Sequence, residues 1–155
     1  MDLSHFRFVI PDSPQLEECA RLLRDSGRWS QMFPDGWACT EKEFARHMLT
    51  SNRPFLCLYE DEIAGLFWLH DFEGRTCQIS YFALLMLPRG FDRLFRSVVK
   101  LSIARYRLAA VFGHIAGSNR AALGIARRVG FREVLRIRSG AADGSDLVYV
   151  MFQEG

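Results

Sequence analysis

The sequence lacks a CxxC pair. Cys19, Cys39, Cys57 and Cys77 are dispersed, and no second cluster of cysteine and histidine is spaced to hold a metal ion. A cysteine-built metal site is excluded, and four reduced, mostly buried thiols are expected. Long apolar runs are missing too. The longest, Tyr81 to Pro88, is far too short to span a bilayer, and the start, Met-Asp-Leu-Ser-His-Phe, has no charged segment followed by an apolar one. The expected location is cytoplasmic. Charge of one sign is equally scarce: 20 basic and 18 acidic residues leave a net charge of +2. The small excess is spread along the chain, so there is no nucleic-acid-binding arm and no polybasic membrane tether, and neither nucleic acid nor membrane is an expected partner. The basic residues are almost all arginine, which records genome composition rather than recognition. No internal repeat, low-complexity tract or linker interrupts the chain.

What is present suits one domain over residues 1–155. With 49% hydrophobic and 13% aromatic content, and 13 phenylalanines, the chain can fill a sizeable core. Phe6 to Ile10 reads as a strand ended by Pro11. Ser13 and Pro14 then open a helix whose apolar positions Leu16, Cys19, Ala20, Leu22 and Leu23 keep helical spacing until Gly27. A loop rich in aromatics follows, with Trp29, Met32, Phe33, Pro34, Gly36 and Trp37, whose expected use is core packing. Thr40 and Glu43 form a capping box for a second helix carrying Phe44, His47, Met48 and Leu49.

Phe55 to Tyr59, the turn Glu60-Asp61-Glu62 and Ile63 to His70 predict a hairpin, extended by a third strand from Thr76 to Met86. Phe91 to Tyr106 carries an apolar stripe at helical spacing, Leu108 to Ile115 is an apolar, β-branched run, and Val134 to Ile137 and Leu147 to Phe152 read as closing strands. Between them Asn119 to Phe131 predicts a well-bounded helix. Ser118 or Asn119 caps its start, Leu123, Ile125, Ala126 and Val129 give it an apolar side, Arg127 and Arg128 sit at the negative end of its dipole, and Gly130 closes it in the left-handed conformation.

Asn119, Ala122 three residues on, and Gly130-Phe131 eleven and twelve on, match the signature of an acyl-CoA-binding helix. On these residues, on the Ala64-Gly65 pair after an acidic turn, and on the order β-α-α-β-β-β-α-β-α-β-β, the chain resembles the GNAT superfamily of N-acetyltransferases along nearly its whole length. The resemblance implies an α/β fold with a mixed sheet flanked by helices. It implies acetyl-CoA as cosubstrate, with the pantetheine arm replacing a strand between Thr76–Met86 and Leu108–Ile115, and a backbone amide near Leu84, Leu85 and Met86 as oxyanion donor. It also implies a phosphate-binding turn before the helix at Phe91, made by Arg89, Gly90, Phe91 and Arg93, and a cofactor contact by Asn119.

The sequence departs from the family at three places. The turn Leu87-Pro88-Arg89-Gly90-Phe91-Asp92 keeps one glycine, has Leu87 where the family has Arg or Gln, and ends on Asp92 where it has Gly or Ala. Two like charges about 4 Å apart repel by roughly 4 kcal/mol at an effective dielectric near 20, so Asp92 opposes a diphosphate unless Arg89, Arg93 or Arg96 offsets it. The tyrosine that many members place four residues before Gly-Phe is Ala126 here. The proposed strand Thr76–Met86 has no carboxylate, leaving Ser80 and Tyr81 as its central polar groups.

Among proton carriers, His114 is the leading base because imidazole titrates near neutral pH, with Tyr81 beside it and His70 and Glu73 as lesser candidates. Two readings follow. One is an acetyl-CoA-dependent N-acetyltransferase acting on a primary amine of a small molecule or peptide. The other is a non-catalytic GNAT-like binding or assembly module, of the sort a phage could encode, that has lost acetyl-CoA. The final strand, Leu147 to Phe152, is also the expected place for a homodimer contact.

Overall fold

Local hydrogen bonds set most element boundaries in the computed structural model, which describes residues 2–33 and 36–154. After a short 3-10 turn, β1 spans Phe6–Val9 and α1 spans Ser13–Asp25. Asp12, not Ser13, caps α1: its side chain accepts from the Gln15 amide at 2.9 Å, and Gln15 Oε1 accepts from the Asp12 amide at 3.0 Å. A single helical turn, α2 (Trp29–Met32), lies where only a loop was expected; Pro34 and Asp35 of that loop are outside the described residues. α3 (Glu41–Ser51) begins on the expected box, with Thr40 Oγ1 accepting from the Glu43 amide at 3.2 Å and Glu43 Oε2 from the Thr40 amide at 2.7 Å.

The remaining elements are β2 (Arg53–Tyr59), β3 (Glu62–Glu73), β4 (Thr76–Ala83), α4 (Phe91–Tyr106), β5 (Ala110–Ala116), α5 (Arg120–Val129), β6 (Arg132–Ile137) and β7 (Leu147–Phe152). Seven strands are hydrogen bonded in the order β1-β2-β3-β4-β5-β7-β6. Two expected strands are shorter than the apolar runs that predicted them. β4 stops at Ala83 because the Leu84 and Leu85 amides both donate to Ala64 O, at 2.8 and 3.4 Å, so the regular ladder cannot continue. β5 starts at Ala110 because Leu108 belongs to the end of α4: Arg107 turns left-handed at φ 52° and the Leu108 amide donates back to Ile103 O at 3.0 Å.

Contacts gather the chain into two compact units. The first comprises residues up to His70 with Ser80–Pro88, the second Asp71–Ile79 with Arg89 onward. The core of the first is built by Leu16, Cys19, Ala20 and Leu23 of α1, Phe44, Ala45 and Met48 of α3, and Leu56, Leu58, Leu66, Trp68 and Phe82 of β2 to β4. Gly65 is required within it. A Cβ there would lie 2.5 Å from Phe82 O, so only glycine lets the two strands approach this closely.

In the second unit, β4 pairs parallel with β5 over Thr76–Ala110, Cys77–Val111 and Gln78–Phe112. β7 pairs antiparallel with β5 on one side and with β6 on the other. The final strand is therefore interior, which corrects the expectation of a dimer contact through Leu147–Phe152: both its hydrogen-bonding edges are occupied. The exposed strand is β6, with Val134, Leu135 and Ile137 all more than two-fifths accessible. α4 and α5 pack on each other, and Val111, Val129 and Val148 are fully buried.

Candidate functional site

The turn before α4 has no side-chain cap. Gly90 is its N-cap at φ 89°, a conformation that L side chains rarely adopt, and makes no side-chain cap bond. Within the first turn of this 16-residue helix, the Arg93 amide donates back to Gly90 O at 3.0 Å. Arg89 and Arg93 are exposed beside it, whereas the Phe91 side chain is buried at 2% accessibility.

Asp92, in the first turn, is paired with Arg128 of α5, Nε to Oδ1 at 3.9 Å. The arginine that offsets it is thus Arg128, which was not among the three that the sequence offered, Arg89, Arg93 and Arg96. Nothing in the spacing of the sequence linked Asp92 to Arg128. The packing of α4 on α5 brings them together.

Asn119 caps α5 as expected, its Oδ1 accepting from the Ala122 amide at 3.1 Å, and Gly130 closes the helix at φ 111°. Ahead of the helix, the β5–α5 loop is held by the loop between β6 and β7. The Ser118 hydroxyl donates to Asp143, the Ser145 hydroxyl donates to Asp143 Oδ1 at 2.6 Å, and the Gly117 amide donates to Asp146 O at 2.7 Å. The Ser118 hydroxyl, then the hydroxyl and the backbone amide of Ser145, pull the Asp143 carboxyl down to about 2.

The proton-carrier candidates fall into separate pairs. His114, exposed on β5, has Nδ1 3.0 Å from Gln78 Oε1 and its ring 6.0 Å from Tyr149. An amide oxygen only accepts, so Nδ1 carries the hydrogen in the neutral ring. Tyr81 lies flat on Phe67, ring centroids 5.3 Å apart at 16°. His70 Nε2 is 2.9 Å from Ser80 Oγ, joining β3 to β4. Alternation could have drawn notice to Gln78 as well, a polar residue two before Ser80 on a strand whose Cys77 and Ile79 are buried.

Of the expected oxyanion segment, Leu84 and Leu85 have their amides committed to Ala64 O, and Met86 follows with its side chain 90% exposed. The aromatic segment packs as expected: Trp29 and Trp37 lie 5.7 and 6.0 Å from Phe44, Phe33 is 4.9 Å from Trp37, and Trp29 Nε1 donates to Trp37 O at 2.9 Å. It leaves a cavity of about 330 Å³ beside Arg24 and Cys39. Among the described residues no cluster of His, Cys, Asp and Glu could hold a metal ion, and no helix is long and apolar enough to cross a membrane.

No family model and no curated protein matches the sequence. Solved structures do match the fold. RimL, a ribosomal L7/L12 alpha-N-protein acetyltransferase in complex with coenzyme A, superposes with a TM-score of 0.79 at 14% identity, over 97% of this chain and 94% of that one. An acetyltransferase of the GNAT family from Bacillus anthracis gives 0.75 at 16% identity, covering 96% and 95%. The chain has the GNAT fold. A dodecameric spermidine N-acetyltransferase from Vibrio cholerae is similar as well, with a TM-score of 0.76 at 17% identity over 97% and 94%. The mixed sheet with its flanking helices is thus the GNAT arrangement.

Proposed function

We propose that the protein is an acetyl-CoA-dependent N-acetyltransferase acting on a primary amine. What carries this reading is the likeness, over 97% of the chain, to an acetyltransferase crystallised with coenzyme A. The start of α4 at Gly90 supports it, because the N-terminal end of a long helix with no side-chain cap and with Arg89 and Arg93 exposed beside it suits a diphosphate. The alternative of a module without cofactor rests on Leu87, Asp92 and Ala126 together, and of these the charge of Asp92 is met by Arg128.

In this reading Arg89, Gly90, Phe91 and Arg93 hold the phosphates, and Asn119, with its Oδ1 engaged in capping, contributes through its side-chain amide nitrogen. Within Leu84–Met86 the oxyanion role passes to Met86, since the other two amides are donated to Ala64 O. Tyr81 supplies a proton to the departing thiolate. His114, tied to Gln78, is a polar contact for the amine. The acceptor is a small-molecule or peptide amine, the kind of substrate named for RimL and for the spermidine enzyme.

Melting in the presence of acetyl-CoA tests the reading. A ligand of the folded state at a hundred times its Kd adds about 2.7 kcal/mol of stability, and the absence of a shift at millimolar acetyl-CoA would refute it.

A further inference from the structure

We propose that Ser80 and His70 together accept the proton released by the attacking amine. The inference rests on the acetyltransferase reading and names a group that the reading leaves open. Ser80 Oγ and His70 Nε2 are 2.9 Å apart, on β4 and β3, and both residues are half-buried. The Trp68 ring flanks the imidazole with its centroid 6.5 Å away. β4 itself reads Thr-Cys-Gln-Ile-Ser-Tyr-Phe-Ala and contains no carboxylate.

A serine hydroxyl by itself is a poor base, and imidazole is a good one near neutral pH. When the Ser80 hydroxyl donates to His70 Nε2, its oxygen keeps lone pairs that can accept an N–H. The pair is the nucleophile-and-base geometry used to activate hydroxyls, employed here to pass a proton instead of to form an ester. His114 is less suited, because it is exposed and its Nδ1 is held by Gln78, whose amide oxygen has no proton to relay.

A spermidine ammonium gives one proton to Ser80 Oγ as the Ser80 hydroxyl proton moves to His70 Nε2, and the imidazolium passes it to solvent, restoring the pair. The lone pair of the amine so freed forms the N–C bond to the acetyl carbon while the C–S bond breaks and its electron pair leaves on sulfur. The Tyr81 hydroxyl protonates that thiolate and is restored by the proton that the new amide nitrogen sheds.

The test uses the full chain with acetyl-CoA, thiol release as readout, and two amine probes, spermidine and hydroxylamine. Spermidine nitrogens are strongly basic and must shed a proton to react, whereas hydroxylamine is already neutral and a strong nucleophile. Ser80→Ala and His70→Gln are expected to lower kcat with spermidine by about 10²-fold, the usual contribution of general-base catalysis. KM for acetyl-CoA and the acetyl-CoA melting shift should be unchanged, and the rate with hydroxylamine should fall far less. Ser80→Thr, which keeps a hydroxyl, is expected to retain most of the spermidine rate. Equal losses with both probes, or an undiminished spermidine rate in Ser80→Ala, would overturn the relay. Failure of the acetyltransferase reading shows differently, as no acetyl-CoA melting shift and no thiol release with either probe in the unsubstituted protein.

Discussion

Arg128 near the end of α5 lies 3.9 Å from Asp92 in the first turn of α4, bridging two helices through one ion pair. Asp92 would compete with a diphosphate for the helix amides, and Arg128 offsets that charge. Asp92→Ala should free Arg128 for an anion and tighten acetyl-CoA binding by about tenfold, equivalent to roughly 1.4 kcal/mol, and Arg128→Ala should weaken it. Arg128 is 60% exposed, so the pair adds at most about 1 kcal/mol to folding and both variants should melt near the parent temperature. Calorimetric titrations at low and high salt check this, the difference shrinking as salt rises. Equal affinities for all three proteins would remove Asp92 and Arg128 from the electrostatics of the site.

Gly65→Ala and Gly124→Ala should act in opposite directions. The added Cβ at Gly65 meets Phe82 O at 2.5 Å, a backbone atom that cannot step aside, so a loss of about 1–3 kcal/mol is expected from overpacking. At Gly124, inside α5, the nearest atom is the mobile Arg128 Nη1 at 3.4 Å, and alanine should raise stability by roughly 0.5–1 kcal/mol through helix propensity. Urea unfolding of the two variants reads both signs.

Acid should loosen the loop between β6 and β7 through Asp143. Its carboxyl sits at about 2 in the folded chain, below the ordinary 3.8, because the hydroxyls of Ser118 and Ser145 bind the charged form. A depressed value stabilises the fold above pH near 4, and that contribution fades as pH drops through the folded value near 2. Asp143→Asn should accordingly melt below the parent at pH 7, with the gap closing in strong acid. A gap that is independent of pH would assign the loop contacts to shape instead of charge.

Thiol chemistry should single out Cys39. Burial pushes the Cys19, Cys57 and Cys77 thiols up to about 12, and all three are enclosed, whereas Cys39 is only partly buried beside Arg24. A chromogenic disulfide at pH 8 should therefore titrate Cys39 first in the native protein, the other three reacting only on unfolding. Rapid reaction of all four would contradict the packing of the sheet interior.

Much of the fold was legible because its signals are local. The box of Thr40 and Glu43 starts α3, Asn119 and Gly130 bound α5, and α4 runs over Phe91–Tyr106 as its apolar stripe predicted. Strand limits were less legible. The apolar run Thr76 to Met86 continues past Ala83, and nothing in it shows that Ala64 O takes two successive amides. Leu108 looked like a strand residue although its amide completes the end of α4.

For the candidate site, the sequence by itself determined which residues stand where local chemistry settles the matter: a glycine, Gly90, in the turn before α4, Asn119 capping α5, and no carboxylate on β4. Only the tertiary structure decided their partners, namely Arg128 for Asp92, Gln78 for His114 and Ser80 for His70, and put β7 inside the sheet with β6 at its edge. The physical reason is distance along the chain. Caps and turns are closed by residues three or four apart, whereas His114 and Gln78 are separated by 36 positions and meet only when strands pair and helices pack.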